Sequence, residues 1–513
     1  MTSIRERVGS RRLADYKFIH IEDRAPIPAK LRNTFVIQGD GWDDYSSQVR
    51  FDLHHFDGRG IRTDYGKLKI LEKTPYGSST IVKSRTKPPA SFAELPDTYI
   101  SLGQGEEYYE RLGREFGTAE AVEVLRALRD IALMPALAAD FETHPPFRNG
   151  MMRTNGAQRS IRFGATWVRG EEAHVEPAFT YSKLIGGDIP TTSRFDLDPT
   201  DKLPGRIAAI IGRNAVGKTF FLSQLAADLS QIDRISEERL TLKEQRFPDG
   251  RPVFARIIAV SFSAFDRFRR PEATPYSSYV YCGIRDEKGA FSQRSLTRSY
   301  NANRSRVRGL QRESEWVEHI FEIIGDEQGL TADRLRREIS DETEGEAGSD
   351  RLLDELSSGQ AILVHFVTAV LAWIRPDSLV LFDEPETHLH PNAVASLFVV
   401  LTHILRQFQS YAIVATHSPV VLQEIPAKRV VQFVRDGDTT VGDLLEIESF
   451  GESVTELTRH VFETFEVESL YKAALRQLSQ KMSAEEVLTL FPRGLSMAAQ
   501  SFLIGLYAGR DAG

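Results

Sequence analysis

One eight-residue stretch constrains the fold of this chain more than any other. Residues 212–219 read GRNAVGKT and fit the phosphate-binding pattern G-x-x-x-x-G-K-[ST]. The apolar run Arg206–Ile211 before it predicts a buried strand, and Phe220–Leu229 after it predicts a helix. A phosphate-binding loop, or P-loop, requires that strand–loop–helix setting. The alternative, a glycine turn before a surface helix, is disfavoured because three further motifs follow in order.

The loop residues have expected roles toward a nucleoside triphosphate. Glycines let successive backbone N–H groups face the phosphates, and the helix N-terminus adds its positive end. We expect Lys218 to reach the β- and γ-phosphates and the Thr219 hydroxyl to bind Mg²⁺. The predicted nucleotide-binding residues here are Gly212, Arg213, Asn214, Ala215, Val216, Gly217, Lys218 and Thr219.

Length and composition limit the class of protein. The chain has 513 residues, 41% of them hydrophobic, which predicts about three domains with sizeable cores. The net charge of −8 restricts any nucleic-acid site to a local patch. The lone Cys282 excludes an intrachain disulfide framework, and the most apolar stretch, Leu397–Leu405, is too short to span a bilayer. These features predict a soluble cytoplasmic protein without a membrane partner.

Composition shifts along the chain predict its organisation. We expect a basic arm at 1–30, a mixed α and β region at 31–205, a nucleotide-binding core at 206–265 and 355–445, an Arg-rich insertion at 266–354, and a helical region at 446–513. The predicted N-terminal strands are Phe35–Gln38, Val49–His55, Lys67–Leu71, Ser160–Phe163 and Phe179–Leu184.

Four further apolar runs predict core strands buried on both faces: Arg256–Phe262, Ser378–Phe382, Tyr411–Ala415 and Val430–Val434. Helical patterns lie between some of them, at Gln360–Ile374 and Ala393–Arg406. This alternation predicts an α/β fold with a parallel sheet surrounded by helices.

Polar residues at the ends of two predicted strands indicate phosphate chemistry. Asp383 follows the predicted strand Ser378–Phe382, which we expect to lie beside the P-loop strand, and its carboxylate could hold Mg²⁺. The adjacent Glu384 could polarise a water molecule for attack on the γ-phosphate. His417 follows another strand and could sense that phosphate, although taken alone it fits a strand-end histidine next to the capping residue Ser418.

A Ser–Ser–Gly loop before a predicted helix is the fourth signal. Its hydroxyl and N–H groups could face an anion, and the alternative is an ordinary helix cap. The position of the loop between the other motifs favours the anion. We call this stretch the signature loop; it consists of Ser357, Ser358, Gly359 and Gln360.

Taken together, GRNAVGKT, LSSGQ, LVLFDEPETHLHP and IVATHSP resemble the ABC-type ATPases of the SMC/RecF-like group. The resemblance implies an ABC-type P-loop ATPase core with a helical signature lobe, in which two copies of the chain enclose two ATP molecules. Ser357 and Gly359 would then contact the γ-phosphate of the partner copy. Glu384 would be the general base and His417 the switch histidine.

The chain departs from that group at three places. Ala215 and Ser358 stand where glycine is usual, and the glutamine expected after strand Arg256–Phe262 is missing. Ser263 or Asp266 could contact Mg²⁺ or its waters in place of that glutamine.

A finer resemblance concerns the biological role. DEPETHLHP, THSPVVLQEIP and the FGES sequence at 450–453 are similar to the ATPase subunits of Septu-type anti-phage systems, which act with a separate HNH nuclease. The alternatives are a RecF-like DNA-repair or chromosome-maintenance ATPase, a transporter energy subunit, and an OLD-type nuclease. The last requires an added Toprim domain, for which we see no carboxylate pattern. We therefore expect no nuclease activity in this chain itself.

An arginine-rich segment is the candidate contact for nucleic acid or a nuclease partner. No acidic residue lies between Gly289 and Gln311, and arginine suits phosphate contacts. The alternative is a solvated face, or pairing with the acidic run Asp341–Asp350. The arginines concerned are Arg294, Arg298, Arg304, Arg306, Arg308 and Arg312.

Overall fold

The computed structural model describes most of the chain. The described residues are 17–23, 25–41, 48–76, 79–171, 177–230, 245–261, 278–283, 293–324, 331–340, 351–387, 389–461 and 470–511. They divide into two compact units, Met1–Glu452 and Ser453–Gly513. No helix among them is long and apolar enough to cross a membrane.

A mostly antiparallel sheet organises the N-terminal region. It has the order β5-β4-β3-β2-β1-β6, and β7 pairs with β4. On β3, Phe51 and Leu53 are buried and Asp52 between them is half-buried, but His54 and His55 are buried too, so burial alternates only over the first half of the strand. The strands are β1 (Lys17–Ile21), β2 (Thr34–Gly39), β3 (Arg50–Phe56), β4 (Arg62–Tyr76), β5 (Ser79–Val82), β6 (Ser91–Phe92) and β7 (Tyr99–Gly103).

Three helices pack against this sheet and one another: α1 (Glu106–Phe116), α2 (Thr118–Ala127) and α3 (Asn155–Trp167). A 3₁₀ helix (Pro135–Asp140) and a π-helical turn (Pro146–Met151) connect α2 to α3. Gly164 permits the close packing of α3, because a Cβ there would lie 2.7 Å from Cζ of Tyr109.

The second sheet, which we call the core sheet, is parallel except at one edge, as the sequence predicts. Its order is β12-β11-β13-β14-β10-β15-β16, and only β16 runs antiparallel to its neighbour among the described strands. Its strands are β10 (Ile207–Gly212), β11 (Arg256–Ser261), β12 (Tyr279–Tyr281), β13 (Ser378–Asp383), β14 (Tyr411–Thr416), β15 (Val430–Asp436) and β16 (Thr439–Leu444). A separate hairpin of β8 (Ala178–Leu184) and β9 (Pro190–Asp196) shares the hydrophobic cluster of this sheet.

Helices complete the α/β core. Helices α5 and α6 pack against α9, and α10 packs against α6 and α9. The helices are α4 (Lys218–Ser230), α5 (Gln293–Gly309), α6 (Glu313–Ile324), α7 (Ala332–Ser340), α8 (Arg351–Glu355), α9 (Ser358–Trp373), α10 (Pro391–Gln407) and α11 (Pro419–Leu422), with a 3₁₀ helix at Ala427–Arg429.

The unit Ser453–Gly513 is helical, as the sequence predicts. Leu475, Val487, Ala499 and Leu503 form its small buried cluster. Its helices are α12 (Val454–Val461), α13 (Leu470–Ser479), α14 (Ala484–Thr489) and α15 (Met497–Asp511).

Three details of the sequence prediction are wrong. Lys17–Ile21, which we assigned to an arm, forms β1 and pairs in parallel with β2. Ser160–Phe163 lies inside α3 rather than in a strand, because the Thr154 hydroxyl accepts a hydrogen bond from Ala157 N and caps a 13-residue helix. The strand that ends at Asp383 is not beside the P-loop strand, since β14 lies between β13 and β10.

Candidate nucleotide-binding site

The P-loop connects the C-terminal end of β10 to the N-terminus of α4. A Cβ at Gly212 would lie 2.5 Å from the carbonyl oxygen of Phe433, so only glycine fits there. Gly217 has φ +98° and faces Ile185, which leaves no room for a side chain. Ala215 has φ 68°, a left-handed conformation that favours glycine. The loop therefore holds an alanine where the resembling group often has glycine, at the cost of backbone strain.

Lys218 lies at the first position of α4, with 5% of its surface exposed. Its Nζ donates hydrogen bonds to the carbonyl oxygens of Gly212, at 2.8 Å, and Arg213, at 3.0 Å. Burial lowers the pKa of Lys218, while the nearby carboxylates of Glu384 and Asp383 act in the opposite direction. The ammonium group is thus held against the loop, where a phosphate would compete with these two carbonyl groups.

Thr219 and Asp383 form the predicted metal-binding pair. The Thr219 hydroxyl donates to Asp383, at 3.0 Å from Oδ1 and 2.9 Å from Oδ2. Asp383 is 2% exposed at the C-terminal end of β13. A hydroxyl and a carboxylate are hard oxygen ligands, and magnesium is usually held by one or two such protein groups plus phosphates and waters. These two residues therefore fit Mg²⁺, although β14 lies between β13 and the P-loop strand β10.

Glu384 and His417 meet beside this pair. Nδ1 of His417 lies 3.4 Å from Oε1 of Glu384, and the amide of Glu384 donates to Ala415 O at 2.8 Å. The contact with His417 lowers the pKa of Glu384, although burial opposes it. The same contact raises the pKa of His417. Glu384 is thus an ionised carboxylate at neutral pH, as a general base requires.

Glu386 belongs to the same cluster, and our sequence analysis missed it. Its Oε1 accepts hydrogen bonds from the Thr416 hydroxyl, at 2.6 Å, and from the amide of His417, at 3.0 Å. The same oxygen lies 3.3 Å from His417 Nδ1. Glu386 therefore fixes the end of β14 and the position of His417. Its place two residues after Glu384 could have indicated this role.

The signature loop forms the N-terminal cap of α9. The Ser357 hydroxyl oxygen accepts from the amide of Gln360, at 3.4 Å, and Gln360 Oε1 accepts from the amide of Ser357, at 3.1 Å. Ser357 and Ser358 are exposed, and Gly359 is half-buried. The hydrogen bonds described for Ser357 stay within its own loop, so the structure does not bring it to Lys218 of the same chain. Both interpretations of this loop, cap and anion site, are compatible with this geometry.

The interpretation of the arginine segment as a nucleic-acid surface is wrong for three of its members. Arg304 is 4% exposed and its Nη1 lies 2.8 Å from Glu338 Oε1. The guanidinium of Arg306 stacks 4.0 Å from the Trp373 ring centre and pairs with Glu142.

Arg312 is also an internal residue. Its Nη1 donates to the carbonyl oxygen of Ile374 at 3.0 Å, and its guanidinium lies 4.5 Å from the centre of the Phe408 ring. Arg298 is exposed and Arg308 half-buried, while the side chain of Arg294 lies outside the described residues. Three of the six arginines thus stabilise the fold from within.

Several other residues named in the sequence analysis lie outside the described part of the chain. They are Ser263, Asp266 and the acidic run at 341–350. Cys282 is buried, and burial raises the pKa of its thiol to about 12.

A family comparison and a comparison with curated proteins each match part or most of this chain. Residues 253–423, about a third of the chain, match the family model described as "AAA domain, putative AbiEii toxin, Type IV TA system". The match includes the signature loop, Asp383, Glu384 and His417 but not the P-loop. The chain is 29% identical over 532 residues to "Protein ea59" of Escherichia phage lambda, covering 97% of this chain and 99% of that protein.

Two solved structures are similar over about half of this chain. A structure described as the SmcHead bound to the C-winged helix domain of ScpA is 14% identical, covers 53% of this chain and 97% of its own, and has a TM-score of 0.30. A nucleotide-free ATP-binding cassette from an ABC transporter is 13% identical, with coverages of 54% and 94% and a TM-score of 0.28.

The class of protein follows from the core itself. A parallel sheet carries a P-loop, a Thr–Asp pair and a Glu–His pair at the C-terminal ends of its strands. Together with the matched AAA domain, this arrangement defines an α/β protein with a P-loop core.

Proposed function

We propose that this chain is an ATPase that binds ATP with Mg²⁺, dimerises around it, and hydrolyses it to switch a partner. The observation that carries the proposal is the cluster at the C-terminal ends of β10, β13 and β14, where a P-loop lysine, a Thr–Asp pair and a Glu–His pair meet.

Each member of the cluster has a distinct task. Thr219 and Asp383 would hold Mg²⁺, which offsets phosphate charge when bound. Lys218 would place its ammonium against the terminal phosphates. Glu384 would accept a proton from the attacking water, and His417, fixed by Glu386, would keep Glu384 ionised and oriented.

Hydrolysis is tested by Glu384→Gln, which keeps the shape of the side chain and removes its basicity. We expect nucleotide binding to persist and the steady-state ATPase rate to fall by roughly 10²–10⁴-fold, the usual contribution of a general base. The rate of phosphate release and the affinity for a fluorescent ATP analogue should be measured on the same preparations. An unchanged rate in Glu384→Gln would refute this role.

Dimerisation around the nucleotide is supported by the signature loop. Ser357 and Ser358 are exposed at the N-terminus of α9, where their hydroxyl and amide groups could contact a second copy. Ser357→Arg should leave the chain folded and able to bind nucleotide, yet prevent the ATP-bound dimer. A mixture with Lys218→Ala protein should restore at most one working site per heterodimer. Normal ATPase activity in each variant alone would contradict the sandwich.

A separate nuclease subunit is the finer part of the proposal. We infer a partner of the HNH type and a role in anti-phage defence from the sequence resemblance. The alternative is a RecF-like ATPase that binds DNA without a nuclease. Purification of the tagged chain from its native operon, followed by identification of the co-purifying chains, separates the two. A nuclease in the complex favours the first, and DNA with no second chain favours the alternative.

A further inference from the structure

A cavity of about 570 Å³ lies at the opposite end of the core sheet from the P-loop. Its lining includes Ala255 and Asp377, the residues directly before β11 and β13, and Ala372 and Ile374 at the C-terminal end of α9. The P-loop cluster occupies the other ends of these parallel strands. The volume falls within the roughly 300–1,000 Å³ of small-molecule pockets.

The cavity is strongly basic. Two carboxylates, Glu142 and Asp377, face six guanidinium groups in its lining. The arginines are Arg148, Arg153, Arg159, Arg162, Arg312 and Arg375.

Both carboxylates are already engaged. Asp377 Oδ2 lies 2.8 Å from Nη1 of Arg162. Glu142 pairs with Arg375 and also with two arginines behind the cavity wall, Arg256 and Arg306. One glutamate therefore serves three guanidinium groups, and the lining has an excess of positive charge.

Arg375 is the lining residue that most favours an anionic ligand. Its Nη1 is buried and has no hydrogen-bond acceptor among the described residues. Burial lowers the pKa of Arg375 to about 9 and that of Arg312 to about 10, so both remain protonated at neutral pH. A buried charge that lacks full compensation is costly. An anionic group in the cavity would supply the missing acceptor.

Apolar surface lies beside these charges. Phe147, Ile161 and Phe163 contribute to the lining, and the Arg162 guanidinium lies 4.6 Å from the centre of the Phe163 ring. Such a combination recognises a molecule with an apolar or planar body and anionic groups.

We propose that this cavity is a regulatory site for a nucleotide-sized molecule that carries at least two phosphate or carboxylate groups. Its position supports regulation, since α9 begins at the signature loop and β13 ends at Asp383. The cavity touches the other end of both elements, about 24 Å along α9 and about 20 Å along β13. The binding part stands by itself, and the regulatory part rests on the proposed ATPase function.

Binding is tested with inorganic pyrophosphate as the probe, at constant ionic strength, by calorimetry on the full chain. Lys218→Ala is the background, because it weakens binding of the probe to the P-loop. We expect one site in that background, and an affinity at least roughly 10-fold weaker when Arg375→Met is added, the usual effect of losing a charge-assisted hydrogen bond. Glu142 keeps two arginine partners in this variant, so the fold should persist.

Two further variants keep the test decisive. Arg159→Ala at the cavity rim, where the side chain is 62% exposed, should weaken binding by a few-fold. Arg336→Met on α7, 65% exposed and not part of the lining, should have no effect. The proposal is overturned if the Lys218→Ala protein does not bind pyrophosphate, or if adding Arg375→Met and adding Arg336→Met give the same affinity. It is also overturned if a single-stranded oligonucleotide binds in an Arg375-dependent manner and pyrophosphate does not.

Regulation is tested by titrating pyrophosphate into an ATPase assay at saturating ATP. Arg375→Met retains the P-loop, so its response reports competition at the nucleotide site alone. For each protein, the ATPase rate with pyrophosphate is divided by the rate of the same protein without it. We expect this ratio to differ by at least two-fold between the wild type and Arg375→Met. Identical curves would exclude regulation but would leave the binding result standing. If the wild-type protein shows no ATPase activity even without pyrophosphate, that result would count against the proposed function and not against ligand binding in the cavity.

Discussion

Glu142 is the residue whose removal we expect to damage the protein most without touching the nucleotide site. Its side chain is 7% exposed and pairs with Arg256, Arg306 and Arg375, whose side chains are also largely buried. These arginines come from β11, α5 and the turn after α9, whereas Glu142 belongs to the N-terminal region. The carboxylate thus joins four segments that are distant in sequence.

The size of the effect follows from what remains after Glu142→Gln. Removing one partner of a buried ion pair typically costs about 3–5 kcal/mol, because the other charge stays buried. Here three guanidinium groups lose their shared counter-charge. Hydrogen bonds to carbonyl groups limit the loss, since Arg256 Nη1 donates to Trp373 O and Arg306 Nε to Ala372 O, each at 2.8 Å. We therefore expect the free energy of unfolding to fall by about 3–5 kcal/mol.

Urea unfolding followed by tryptophan fluorescence measures this change. All four tryptophans precede residue 453, so the signal reports the first compact unit and not the C-terminal one. Asp333→Asn is a matched control, because Asp333 pairs with Arg336 at the surface and should leave the midpoint unchanged. A double variant, Glu142→Gln with Arg306→Met, should recover part of the loss. A loss below about 1 kcal/mol in Glu142→Gln would refute the reasoning.

Three further predictions concern the site and the lobe. In His417→Ala, the pKa of Glu384 should rise because the contact that lowers it most is gone, so the acid limb of kcat/KM should move to higher pH; an unmoved limb would contradict this. Thr219→Ala should raise the Mg²⁺ concentration needed for half-maximal ATPase activity, and an unchanged requirement would remove Thr219 from the metal site. Arg304→Glu should lower the melting temperature strongly, whereas Arg298→Glu, exposed on the same helix, should not; equal effects would contradict the burial of Arg304.

The core and its site were predictable because their signals are local. An apolar run such as Tyr411–Ala415 is typical of a strand buried on both faces in a parallel sheet, and the observed strand differs by one residue. Asp383, Glu384 and His417 directly follow such runs, and parallel strands bring their C-terminal ends to one edge. The carboxylate cluster followed from these two facts, even though the order of the strands did not.

Predictions from short sequence segments were wrong or incomplete where tertiary contacts determine the structure. Ser160–Phe163 alternates like a strand over four residues, but the surrounding helix is held by the Thr154 cap and by the packing of Gly164 on Tyr109. Glu386 was overlooked for a similar reason. Its role depends on Thr416 and His417, which lie 30 and 31 residues further along the chain.

The arginine segment shows what composition cannot reveal about charge. Arg306 and its partner Glu142 are separated by 164 residues, so no local window contains both charges. A run of arginines without nearby acidic residues therefore looks unpaired in sequence, although the fold supplies the carboxylates from elsewhere. Because Arg304, Arg306 and Arg312 are committed to Glu338, Glu142 and backbone carbonyls, these three cannot also bind phosphates at the surface. Within the part of the chain that the structure describes, arginines do cluster around open space in the cavity at the N-terminal end of β13. There the positive charges of Arg375 and its neighbours outnumber the two carboxylates beside them.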